Sequence, residues 1–161
     1  MNYNKEKILN YDETKEKALR LLEFRSHSEK ELSDKLKRAG ATDENIEKVL
    51  IFCREYGFVN DELYAKRKAQ DLQNLKKFGI YRIKAELKQK GIAPDLIELA
   101  AEELDCDEED ILYPLVVKKL NNNFEKKNID KCIRYFIYRG YNFADIKACI
   151  ERIKDGGNDE L

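Results

Sequence analysis

The chain repeats one pattern three times. It reads Leu32, Leu36, Gly40, Ile46, Val49, Leu50, then Ile83, Leu87, Gly91, Ile97, Ala100, Ala101, then Cys132, Phe136, Gly140, Ile146, Cys149, Ile150, with identical internal spacing. The successive glycines lie 51 and 49 residues apart. Self-similarity at such a period marks a tandem repeat protein, whose units bury their flanks against neighbours and present an extended surface. Apolar residues at three- to four-residue spacing ahead of each glycine predict helices, with glycine at the left-handed position just past the helix end.

Helix starts are legible too. Ser28 and Glu31 form a capping box, in which each side chain satisfies an orphan amide of the other. Thr42 and Asn142 fall at capping positions, Asn60 or Asp61 opens the helix after Gly57, and Pro94 suits a first helical position. The punctuation predicts nine helices, at about 13–25, 29–39, 43–56, 61–77, 80–90, 94–104, 108–123, 129–139 and 143–154. Pro114 either starts the seventh or bends it. The expected fold is all-α: three tandem three-helix repeats forming an elongated, curved helical protein. Repeat one is placed at 12–59, repeat two at 60–106 and repeat three at 107–154. Residues 1–11 and 155–161 are expected to be flexible ends.

With 39% charged and 42% hydrophobic residues, the composition suits helices that have one apolar stripe and one solvated face. No run approaches the ~18 apolar residues of a membrane span, and Met1 to Tyr11 is too polar for a signal peptide. Cys53, Cys106, Cys132 and Cys149 show no metal-type spacing and read as reduced, small core residues. A cytoplasmic, monomeric protein is the expectation, with no membrane association.

Catalytic signals are sparse. His27 is the only histidine and reads as a plain surface residue. No phosphate-cradling glycine motif is present, and the acids Asp105, Asp107, Glu108, Glu109 and Asp110 lack the spacing of a calcium loop. They read as a charged linker that favours the next helix N-terminus. No enzyme, cofactor or metal is expected.

The net charge of −1 conceals a polarised chain. Residues 61–92 hold nine Lys or Arg against four acids, and residues 93–112 hold nine acids and no base. The basic block comprises Lys66, Arg67, Lys68, Lys76, Lys77, Arg82, Lys84, Lys88 and Lys90, with Tyr81 beside it. Such a block meets phosphates or an acidic protein surface, or is an ordinary solvated face. The three helix pairs joined by short turns also resemble helix-turn-helix units. The turn-following helices, however, begin Asp43-Glu44, Pro94-Asp95 and Phe143-Ala144, and two of these three starts are acidic where a base reader would carry donors.

Three strings carry a family resemblance. Arg25-Ser26-His27-Ser28-Glu29-Lys30-Glu31-Leu32 resembles the R-x-R-S-x-x-E-L signature of the RecX family, with His27 standing where the family often has Arg. Gly57-Phe58-Val59-Asn60-Asp61-Glu62-Leu63-Tyr64-Ala65 resembles its G-x-x-N-D-x-x-Y-A segment. Lys77 to Ile92 resembles its K-x-G-x-x-R-I-x-x-E-L-x-x-K-G-I segment. The resemblance implies tandem three-helix repeats and a non-catalytic regulator of the recombinase RecA. Such a regulator binds RecA and its filaments on single-stranded DNA and suppresses ATP hydrolysis and strand exchange.

On this reading Ser28, Glu31, Leu32, Leu36, Gly40, Gly57, Asp61, Tyr64, Gly79, Ile83, Leu87, Gly91 and Gly140 are architectural. Gly40, Gly57, Gly79 and Gly91 make turns, and Asp61 caps a helix. Arg25, Lys66, Arg67, Lys76, Lys77, Tyr81, Arg82, Lys84, Lys88 and Lys90 are the candidates for the RecA filament or for direct contact with DNA. Arg82 and Lys90 are foremost. A helical nucleic-acid-binding module, or a scaffold for another partner, remains the alternative.

Overall fold

The computed structural model describes residues 7–156. Among them are nine helices. The first group is α1 (Tyr11–Phe24), α2 (Glu29–Arg38) and α3 (Asp43–Glu55). The second is α4 (Asp61–Asn74), α5 (Ile80–Gln89) and α6 (Pro94–Glu102). The third is α7 (Glu108–Leu120), α8 (Lys126–Tyr138) and α9 (Phe143–Gly156). The fold is all-α, built as tandem three-helix repeats. The expected flexible ends fall largely outside the described residues. Of the first, Leu9 forms an isolated parallel bridge with Ala41, and Asn10 closes a capping box on α1.

Local chemistry explains the boundaries. The Ser28 hydroxyl accepts from the Glu31 amide at 3.2 Å while Glu31 Oε1 accepts from the Ser28 amide at 3.3 Å. Thr42 and Asn142 accept from amides three residues on, at 3.3 and 2.8 Å. Asn60 is the cap of α4, accepting from the Leu63 amide at 3.1 Å. That helix stops at Asn74, three residues short of expectation. The chain turns there, with the Phe78 amide donating to the Leu72 carbonyl at 3.1 Å and Lys77 left-handed at φ 56°. Helix α7 begins at Glu108 and runs through Pro114, so the proline is interior and leaves the Asp110 carbonyl without its helical donor.

Two compact units emerge. One gathers the chain up to Ala65 with Lys88–Leu96, and the other gathers Lys66–Leu87 with the chain from Ile97 onward. The division runs through the second repeat. In the first unit Leu32, Leu36, Ile46, Val49 and Cys53 pack with Ala18 and Val59. In the second Leu112, Val116 and Leu120 pack against Cys132, Phe136, Ile146 and Cys149. The repeat-equivalent positions Leu32, Ile83 and Cys132 are all buried, as are Leu36, Leu87 and Phe136. Each such aliphatic or aromatic side chain removed from water contributes about 1.5–3 kcal/mol.

Two expectations are corrected. His27 is buried at 2% exposure rather than lying on the surface. Its Nδ1 faces the Arg25 carbonyl at 2.9 Å and its Nε2 faces Lys35 Nζ at 2.8 Å. A carbonyl only accepts and an ammonium only donates, so the ring is neutral with its proton on Nδ1. Cys106 is exposed rather than part of the core, whereas Cys53, Cys132 and Cys149 are buried. It sits in the acidic connection before α7, with no apolar helix face to carry it inward.

Candidate functional site

In the first compact unit the three motif strings converge on one carboxylate. Glu31, near the start of α2, has a side chain only 11% exposed. Arg25 Nη2 reaches its Oε2 at 3.0 Å and Lys90 Nζ reaches the same oxygen at 3.3 Å. The Tyr64 hydroxyl donates to its Oε1 at 3.0 Å. Burial alone would raise the Glu31 carboxyl, but hydrogen bonds from Arg25, Tyr64, the Ser28 amide and Lys90 lower it to about 2. Burial first, then the hydrogen bond to Glu31, pushes the Tyr64 phenol up. Ser28 Oγ also donates to the Lys90 carbonyl at 2.6 Å, and a side chain on Gly91 would strike the stem of Lys30. The motif residues are therefore a joint between the α2 start, the α4 start and the turn after α5.

The second unit contains a related joint. The Gly79 amide donates to the Arg139 carbonyl at 2.9 Å and the Tyr81 amide to the Gly140 carbonyl at 3.1 Å. Gly79 does not have a positive φ, so it is not there to allow a left-handed turn. A Cβ on it would meet the Gly140 backbone, and close approach is what requires glycine. Tyr141 is buried alongside, its hydroxyl donating to the Lys77 carbonyl at 2.8 Å. Burial, then the nearby Glu108 charge, pushes that phenol up to about 12.

One device is used in both units. The Glu29 amide, first in α2, donates to Asp61 Oδ1 at 2.9 Å. The Ile80 amide, first in α5, donates to Glu108 Oε2 at 3.3 Å. Each acid is itself the first residue of the first helix of the following repeat. Asp61 thus caps a helix 32 residues away, not its own as the sequence suggested. Burial holds both acids above their ordinary range. Gly40 fits the scheme as well: the Leu9 amide donates to its carbonyl at 3.0 Å, as Tyr81 does to Gly140.

The cationic candidates divide into two sets. Arg25 and Lys90 are engaged at Glu31. Lys66 pairs with Glu103 and Lys84 with Glu98, each at 3.0 Å. Arg82 pairs with Glu86 at 2.9 Å, with its guanidinium 4.7 Å from the Phe78 ring centre and 5.1 Å from that of Tyr138. Arg67, Lys76, Lys77, Tyr81 and Lys88 are exposed and stand outside these pairs. Sequence reasoning missed Glu29, Glu108, Arg139 and Arg54, whose Nε donates to Glu29 Oε1 at 2.9 Å, because each acts on a distant partner that local spacing does not reveal. Among the described residues, no group of three or more His, Cys, Asp or Glu is placed to hold a metal.

Comparison with known proteins agrees with this architecture. Residues 15–53 match the family model for RecX, first three-helix domain, and residues 60–100 match that for RecX, second three-helix domain. The regulatory protein RecX of Clostridium beijerinckii is 33% identical over 151 residues, covering 89% of this chain and 70% of its own. That of Clostridioides difficile is 34% identical over 148 residues, covering 89% and 69%. That of Salmonella agona is 32% identical over 154 residues, covering 87% and 91%. The crystal structure of RecX from Lactobacillus salivarius superposes with a TM-score of 0.79 at 21% identity, over 89% of this chain and 96% of that one, and supports the fold.

Fold and joints together define a protein of tandem three-helix repeats. The chain belongs to the RecX family. Membership implies, in general terms, a role in modulating RecA.

Proposed function

We propose that this chain acts as a monomer that docks on RecA, above all on RecA filaments on single-stranded DNA, and there restrains ATP hydrolysis and strand exchange. What carries the reading is the family match over 89% of the chain, which includes every residue of the Glu31 joint. The joint also refines the choice of contact residues. Cations already matched by an internal carboxylate gain little from a second partner, whereas exposed unmatched ones gain more. Arg67, Lys76, Lys77 and Lys88 are then the first contacts to a filament, with Tyr81 exposed beside them, and Arg25 and Lys90 hold the scaffold.

Fluorescence anisotropy of the labelled protein tests this at one physiological salt concentration. The targets are RecA filaments on single-stranded DNA with a slowly hydrolysed nucleotide, the same DNA bare, and RecA alone. Preference for filaments, lost on replacing Arg67, Lys76 and Lys77 with alanine, is the expected result. Equal affinity for bare DNA and filament, with steep salt dependence, would replace the reading with a nucleic-acid module.

A further inference from the structure

Within the second compact unit a cavity of about 360 Å³ opens beside the last turn of α7, the end of α8 and the turn after α4. Its charged lining is wholly positive: Lys77, Lys118, Lys119 and Arg139, with no carboxylate. The fold holds the Arg139 side chain and the Lys77 backbone in place. Arg139 donates to the Lys76 carbonyl and lies 5.1 Å from the Phe78 ring centre. Lys77 is left-handed, and its carbonyl is tied to the Tyr141 hydroxyl. Lys119 Nζ lies 4.1 Å from the Tyr135 ring centre, and Leu115 and the buried Phe136 supply an apolar wall.

The C-terminal end of α7 offsets part of this charge, since lysines in a last turn complement the helix dipole. It does not account for Lys77 or Arg139, which come from other elements. Like charges converging on one hollow repel one another until an anion enters. Lysines act as point charges and an arginine as a planar fork, a pairing suited to phosphoryl oxygens. The volume falls within the roughly 300–1,000 Å³ of small-molecule sites.

We propose that this cavity binds a nucleoside polyphosphate, with its phosphates on the four cations and its base against Leu115 and Tyr135. The inference does not rest on RecA regulation; it shares only Lys77 with the proposed filament contacts, and its test leaves Lys77 unaltered.

A fluorescent ADP analogue, titrated into the full chain, tests it. Binding displaced by ADP and by pyrophosphate, but not by adenosine, is the expected result. The double variant Lys118→Gln/Lys119→Gln should weaken binding by about tenfold while keeping its far-ultraviolet circular dichroism. Lys126→Gln/Lys127→Gln, the same charge change outside the cavity, should leave it unaltered. Should the first variant fold poorly, the Tyr135 ring resonances of the unaltered protein are expected to shift with ADP. Absence of binding, absence of that shift, or equal weakening in both variants would overturn the proposal. Displacement by an unphosphorylated oligothymidine with none by pyrophosphate would overturn it in favour of a nucleic-acid surface.

Discussion

The Tyr64 hydroxyl lies 3.0 Å from Oε1 of Glu31, a residue 33 positions earlier, and donates to it. The contact joins two motif strings through one hydrogen bond to a carboxylate that also receives Arg25 and Lys90. Removing only the hydroxyl, as Tyr64→Phe, should cost about 1–2 kcal/mol. Glu31→Ala should cost more, about 2–3 kcal/mol, because it leaves the phenol and two cations without their acceptor. Urea denaturation of both variants checks the order, and a larger loss for the tyrosine variant would refute it.

Acid should weaken this joint. Glu31 titrates at about 2 in the fold, below the ~4.3 of an unfolded glutamate. A depressed carboxyl contributes stability that is present above the unfolded value and lost as pH falls toward the folded one. Asp61 and Glu108 are raised and act with the opposite sign. The stability difference between wild type and Glu31→Gln should therefore shrink as pH falls from about 5 toward 2, read from urea midpoints.

Buried His27 makes a separate prediction nearer neutrality. Burial, with Arg25 and Lys35 close by, holds its imidazolium form below the usual range. A base depressed in the fold contributes stability above its unfolded pKa and loses it as pH falls through ~6.5. Thermal midpoints of the wild type should drop between about pH 7.5 and pH 5.5, and His27→Asn should lose that step. An equal drop in the variant would assign the step elsewhere.

Two glycines separate conformation from space. Gly57 has φ 71° with nothing within 4 Å of an added Cβ. Alanine there should cost only the left-handed penalty of about 1–2 kcal/mol. Gly79 has no such φ but abuts the Gly140 backbone. Gly79→Ala must push the joint apart and should cost about 2–3 kcal/mol. Circular dichroism melts of the two variants give the comparison.

Helix number, order and most boundaries were legible because caps, glycines and the 3–4 spacing act within one turn of chain. Helix α8 starts at Lys126, ahead of its expected start, because Glu125 supplies no side-chain cap that a reader could have marked. The joints were not legible. Asp61 looked like the cap of α4 and serves α2; Gly79 looked like a turn and is a contact point; Arg25 and Lys90 looked available and meet at Glu31. For Asp61, Gly79 and Lys90 the contact lies tens of residues distant, and local spacing carries no record of it.

The trans caps bear on how the chain emerges from a ribosome. The first repeat leaves the exit tunnel with its own core complete but with the Glu29 amide unmatched until Asp61 follows. The Ser28 hydroxyl waits for a carbonyl 62 residues downstream. Vectorial synthesis thus builds the first two repeats as unfinished pieces that the next one closes, and a stall before Gly91 would hold the first in that open form.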